Sequence, residues 1–166
     1  FRQFNNGILI SRPGGKGKIL IENNDFIRAF ISNNNFIGTA INLFSMHPTK
    51  MTDATISTNR IGLVSSASLE HARIGIRLSM LDRVIIENNT INFNLDAIPN
   101  ENYRGIWTQV CKNIKILNNN QVINSDLVAG MANSLTGIRM DQSYGSCIEE
   151  NSLQNLGYGM YFSGNS

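Results

Sequence analysis

Apolar and polar residues alternate along this chain in short runs that stop at Gly, Asn or Pro, and no segment sustains the 3.6-residue period of a long helix. Such runs predict short strands separated by bends, with one brief helical excursion inside a loop at Ser125 to Asn133. The runs also repeat. Gly75-Ile76-Arg77-Leu78-Ser79 aligns with Gly105-Ile106-Trp107-Thr108-Gln109, with Gly137-Ile138-Arg139-Met140-Asp141 and with Gly159-Met160-Tyr161-Phe162-Ser163. Ala40-Ile41-Asn42-Leu43-Phe44 and Gly7-Ile8-Leu9-Ile10-Ser11 extend the series upstream, and the starts lie 33, 35, 30, 32 and 22 residues apart.

A second signature follows each start: Ile19-Leu20-Ile21-Glu22-Asn23-Asn24, Val84-Ile85-Ile86-Glu87-Asn88-Asn89, Ile114-Lys115-Ile116-Leu117-Asn118-Asn119 and Cys147-Ile148-Glu149-Glu150-Asn151. Each is a strand that ends at asparagine. Asn tolerates left-handed backbone angles and bonds locally, so it suits a tight bend. Asn24, Asn59, Asn89, Asn119 and Asn151 then occupy one recurring position, where their side chains can stack and hydrogen-bond to one another. The variable spacing falls on His47 to Met51 and on Arg12 to Gly17, which read as loops. A third strand is expected in each unit, as at Phe30-Ile31-Ser32. A unit of this size cannot bury its own apolar face and must stack on a copy of itself. The expected fold is all-β: a parallel β-solenoid of about five to six coils over 1–166, a single domain or a fragment of a longer β-helix, without evident end caps.

Composition sharpens this picture. The 166 residues include 24 asparagines and 22 isoleucines, a poor helix former and a good strand former. Lys and Arg total 14 against 12 Asp and Glu, so no polycation argument points to nucleic acid. No apolar run approaches the roughly 18–20 residues of a spanning helix, and no membrane insertion is expected. Cys111 and Cys147 are too few for a disulfide framework, and with His47 and His71 they form no metal-ligand spacing. Gly14-Gly15-Lys16-Gly17 lacks the spacing and following helix of a phosphate loop. The chain opens at Phe1 with no basic-then-apolar start, so a mature or excised piece is expected, with any targeting information outside it.

The Gly-Ile strand, the second strand and the Asn at the bend resemble the coils of right-handed parallel β-helix proteins of the pectin-lyase-like superfamily, over about residues 7–166. The Asn-rich coils look most like phage tailspikes and capsule depolymerases, or bacterial surface polysaccharide lyases and epimerases. This resemblance implies a right-handed coil, a polysaccharide partner, a homotrimer or a longer chain, and an extracellular or virion-tail location. No cofactor is implied.

Strand alternation assigns faces. Ile41, Leu43, Ile76, Leu78, Ile106, Thr108, Ile138, Met140, Met160 and Phe162 share one parity and should fill the coil. One outward column then reads Leu9, Asn42, Arg77, Trp107, Arg139, Tyr161, and the next reads Ser11, Phe44, Ser79, Gln109, Asp141, Ser163. Arg77, Trp107, Gln109, Arg139 and Tyr161 combine aromatic faces for sugar rings with donors for acidic sugars. The same residues also suit a cation–π stack that packs on itself without any ligand. Asp141 is the candidate catalytic acid, and glycoside hydrolysis requires a second carboxylate, for which Glu70 and Asp82 are the candidates. His71 beside Glu70 could serve as an acid or base but reads more readily as a solvated loop residue, as Glu87, Glu149 and Glu150 read as coil-edge residues. No metal ligands are identified. Two functions follow as expectations: a section that binds and cleaves an extracellular polysaccharide such as capsule or O-antigen, by hydrolysis or lyase chemistry, or a non-catalytic binding, structural or adhesin-like shaft.

Overall fold

A computed structural model of the chain describes residues 6–11, 18–27, 38–46, 51–64, 72–94, 103–118, 120–124 and 135–164. The chain makes successive passes of three strands: β1 (Asn6–Ser11), β2 (Ile19–Glu22) and β3 (Asp25–Ile27); β4 (Gly38–Phe44), β5 (Met51–Ser57) and β6 (Arg60–Val64); β7 (Ala72–Ser79), β8 (Asp82–Glu87) and β9 (Thr90–Asn94). There follow β10 (Tyr103–Gln109), β11 (Lys115–Leu117) and β12 (Gln121–Asn124), then β13 (Leu135–Asp141), β14 (Cys147–Ile148) and β15 (Ser152–Gln154), and finally β16 (Tyr158–Ser163). The first strands of the passes form a six-stranded sheet, and the second and third strands form two five-stranded sheets. Every pairing is between successive passes and parallel, which makes the fold a β-solenoid. Ile8, Ile41, Ile76, Ile106, Ile138 and Met160 stand side by side, as the repeat alignment requires. The third strand starts directly after the stacked asparagine, whereas Phe30 to Ser32 and Ser125 to Asn133 lie outside the described residues.

The core runs down the middle of the three sheets. Ile41, Leu43, Ile76, Leu78, Ile106 and Ile138 are fully buried, together with Ile56, Ile86 and Ile116 of the second sheet and Phe26, Ile91 and Phe93 of the third. Each such side chain contributes about 1.5–3 kcal/mol of burial. Met160 and Phe162 have the inward parity but are 51% and 52% exposed, because β16 is paired on one side only. With Met140 and Ile148 they line an apolar cavity of about 450 Å³.

The glycines that begin each repeat mark a corner. Gly105 and Ile106 are consecutive, yet a Cβ on Gly105 would point at the third sheet, 2.5 Å from Val122 Cγ1 and 2.7 Å from the Gly137 carbonyl oxygen. Strict alternation therefore slips by one residue at this position. Tyr103 belongs to the core as a result, and Arg104 is carried to the outer face.

The bend between the second and third sheets is held by side-chain amides. Asn24 Nδ2 donates to Asn59 Oδ1 at 3.0 Å, Asn59 to Asn89 at 2.9 Å, Asn89 to Asn120 at 2.9 Å and Asn120 to Asn151 at 2.8 Å. The Oδ1 of Asn59, Asn89 and Asn120 also accepts the backbone N–H of the asparagine one pass earlier, at 3.1 Å each. Each Nδ2 from Asn59 onward further meets two carbonyl oxygens, for Asn89 those of Ile56 and Glu87. Asn59, Asn89 and Asn120 are fully buried and satisfied. In the fourth pass the stacked residue is Asn120 rather than the expected Asn119, which lies outside the described residues: the bend there is one residue longer, with Asn120 Nδ2 bonding back three residues to Leu117 O. The left-handed backbone falls one step before the stack, at Asn23, Thr58, Asn88 and Glu150 with φ of 53–56°. A β-branched residue such as Thr58 is strained in that region.

Asn89→Ala is expected to cost about 3 kcal/mol, since it removes the acceptor of the buried Asn59 backbone N–H and the donor to the Ile56 carbonyl, whereas Asn24→Ala at the half-buried first rung costs about 1 kcal/mol. Urea denaturation of the two variants measures the difference. Gly105→Ala is expected to lose about 1–3 kcal/mol by overpacking, while Gly159→Ala, whose Cβ would meet nothing nearer than 3.6 Å, is expected to melt close to the parent.

Candidate functional site

The outer face of the six-stranded sheet carries the densest chemistry among the described residues. Parallel pairing sets Arg77, Trp107, Arg139 and Tyr161 in one column and Ser79, Gln109, Asp141 and Ser163 in the next, with rungs about 4.7–4.9 Å apart. Side chains so spaced must stack. The Arg77 guanidinium lies 4.7 Å from the Trp107 ring centre and that of Arg139 lies 5.9 Å from it, with Arg139 also 5.0 Å from the ring of Tyr161. Arg104, turned outward by the glycine corner, covers the same indole at 4.0 Å. Trp107 is outside the core cluster yet only 8% exposed. Its ring is therefore not an open platform, and the exposed aromatics of this face are Tyr158 and Tyr161, packed edge to face at 5.9 Å.

Asp141 ties the arrangement together. Trp107 Nε1 donates to its Oδ2 at 2.7 Å, Arg139 Nε reaches both carboxylate oxygens at 3.0 and 2.9 Å, and Ser163 Oγ donates to Oδ1. Burial alone would raise the carboxyl's affinity for protons, but the bonds from Ser163, Arg139 and Trp107, with the Arg139 charge, outweigh it and hold Asp141 below the usual carboxylate range. A carboxylate in this state is ionised and its acceptor sites are filled. It has no proton to give as a general acid, which needs a raised pKa.

Of the other acid candidates, Asp82 stands apart from it. Asp82 opens β8 in a different sheet and accepts a bond from Asn113 Nδ2 at 2.8 Å. Glu70, His71 and Gly14 to Gly17 lie outside the described residues. Gln109 does belong to the face, accepting from Arg77 Nη2 at 2.8 Å. Burial lowers the proton affinity of Arg77 and Arg104, helped at Arg104 by the like charges of Arg139 and Arg77 and opposed by Asp141. Arg104 was not visible from the repeat alone, because the aligned motif starts at the glycine after it. Its signal is a charged residue directly before a corner glycine.

The free thiols are Cys111, buried in the first bend, and Cys147. Ser143 sits beside Cys111, accepting its backbone N–H at 3.2 Å and the Thr108 hydroxyl at 3.0 Å. On the second sheet a groove of about 570 Å³ runs past Lys18, Asp53, Thr55, Arg83, Asn113 and Lys115, where Arg83 and Asp53 pair at 3.1 Å.

The fold and its stacked side chains define a parallel β-solenoid protein. No protein-family model matches the chain, and no curated protein or solved structure matches it either.

Asp141→Asn is expected to destabilise the fold by about 1.5–3 kcal/mol at pH 7, through loss of charge-assisted bonds. Because the folded-state pKa is depressed, this stability is present above the ordinary carboxylate range of about 4 and disappears as pH falls through the folded value. Denaturation of both proteins across pH 2–7 should show the gap closing on the acid side.

Proposed function

We propose that the chain is a section of an extracellular or virion-surface β-helix that binds polysaccharide on the outer face of its six-stranded sheet, in the manner of pectin-lyase-like and tailspike proteins. What carries this reading is the face itself: three guanidiniums, the Gln109 amide and two exposed tyrosine rings at one-rung intervals on a rigid sheet. Such a face presents donors for hydroxyl and acid groups beside flat surfaces for sugar rings, at a spacing that side-chain packing cannot blur. Gly-Ile strands, Asn bends and the amide stack support the β-helix relationship. A homotrimer would set three such faces on one assembly.

Binding is the better-supported half of the expected activity. Cleavage by Asp141 is disfavoured because its carboxylate is saturated and no second acid shares its face among the described residues. The protein is therefore a binding shaft, and its affinity comes from the outer columns. Affinity electrophoresis on gels containing capsule and O-antigen polysaccharides should show retardation that Tyr161→Ala weakens about tenfold, consistent with the loss of one stacking contact. New reducing ends or unsaturated products in the same reactions would overturn the non-catalytic reading, and unretarded migration on every gel would overturn the binding reading.

A further inference from the structure

Five arginines fall into two groups. Arg60 pairs with Asp25 at 2.9 Å, Arg83 with Asp53 at 3.1 Å and Arg139 with Asp141 at 2.9 Å. Arg77 and Arg104 have no carboxylate partner among the described residues, although both are about half buried. Their Nε atoms are sealed from solvent and have no hydrogen-bond acceptor. Arg77 spends one terminal nitrogen on Gln109, and Arg104 spends none on any described residue. With Arg139 they gather three positive charges within 6 Å of one indole centre, against the single carboxylate of Asp141.

Packing on Trp107 offsets part of the desolvation of these cations, but a neutral ring cannot balance their charge. Burying a charge without a partner is costly, and among the described residues these two are left without a carboxylate while Arg60, Arg83 and Arg139 each have one. An oxyanion would complete them. A guanidinium edge binds a planar carboxylate or a sulfate by two parallel N–H bonds, and the sealed Nε atoms leave the terminal nitrogens as the reachable donors. Gln109 holds one terminal nitrogen of Arg77, and both guanidiniums lie over the indole, at 4.7 and 4.0 Å from its centre.

We infer that Arg77 and Arg104, seated on Trp107, form a binding site for the oxyanion group of an acidic polysaccharide. This rests on the binding function proposed above and narrows it to chains bearing carboxylate or sulfate.

Trp107 is the single tryptophan of the chain, so its emission reports directly on the site. The native protein is titrated with polygalacturonate for carboxylate, heparin for sulfate, dextran as a neutral chain and single-stranded DNA for phosphate, at low and high salt. Emission should change with polygalacturonate or heparin, whichever carries the preferred oxyanion, and not with dextran, with the effect fading at high salt. Arg104→Gln and Arg77→Gln should each weaken that binding at least tenfold, and Arg83→Gln on the second sheet should leave it unchanged. Thermal melting separates a site from a structural role: Arg104→Gln should melt at or above the parent temperature, since it removes an unpaired charge, and Arg104→Lys should fold but bind weakly for want of the fork. Dextran binding as tight as the acidic chains, unaltered by Arg104→Gln, overturns the oxyanion site and leaves polysaccharide binding standing. DNA binding equal to that of the acidic polysaccharides, or a lowered melting temperature for both Arg104 variants with affinity intact, also overturns it. No emission change or gel retardation with any polysaccharide removes both readings.

Discussion

The amide stack from Asn24 to Asn151 is the constraint on which the rest of the solenoid depends. Apolar burial holds the sheets together but is non-directional, and it does not by itself say which residue of one pass lies over which of the next. A slip of one residue would turn every side chain to the wrong face. Buried amides allow no such slip, because each Oδ1 takes a side-chain and a backbone donor from one neighbour while each Nδ2 is spent on specific carbonyls. Once these amides are in phase, the isoleucine column and the outer columns fall into place across the coil.

That phase has an electrostatic consequence on the six-stranded sheet. Parallel stacking forces Arg77 and Arg139 to within two rungs of each other, where two like charges repel. Trp107 stands between them, and its ring attracts both cations while keeping them apart. Asp141 then anchors the far side through the indole N–H and the Arg139 side chain together. The carboxylate is thus part of the scaffold that orients the face, and the groups left with bonding capacity are Arg77 and Arg104.

Much of this was legible in the sequence, for a definite reason. In a parallel solenoid the repeat alignment is the register, so aligning Gly75, Gly105 and Gly137 already set Arg77 beside Trp107 and Trp107 beside Arg139. What escaped were departures from strict periodicity. Three successive asparagines hid a one-residue insertion and moved the stack to Asn120. The bend at Gly105 reversed the parity before it and exposed Arg104, which alternation would have pointed inward. Alternation also gives a direction and not a degree of cover, so the burial of Trp107 under guanidiniums had no signal in the pattern. The exposure of Met160 and Phe162 was hidden likewise, since parity does not show that β16 is paired on one side only.

The stacked amides all donate the same way, from each pass to the next. A column with a single sense has identical joints, so the Nδ2 of one buried member meets the same acceptor whichever pass supplies it. The length of such a protein is therefore quantised. It can gain or lose a whole pass and close the joint again, while a fractional change breaks the amide column, the core and the arginine face at once. Variation in reach along the solenoid axis is open to this architecture only in steps of one rung.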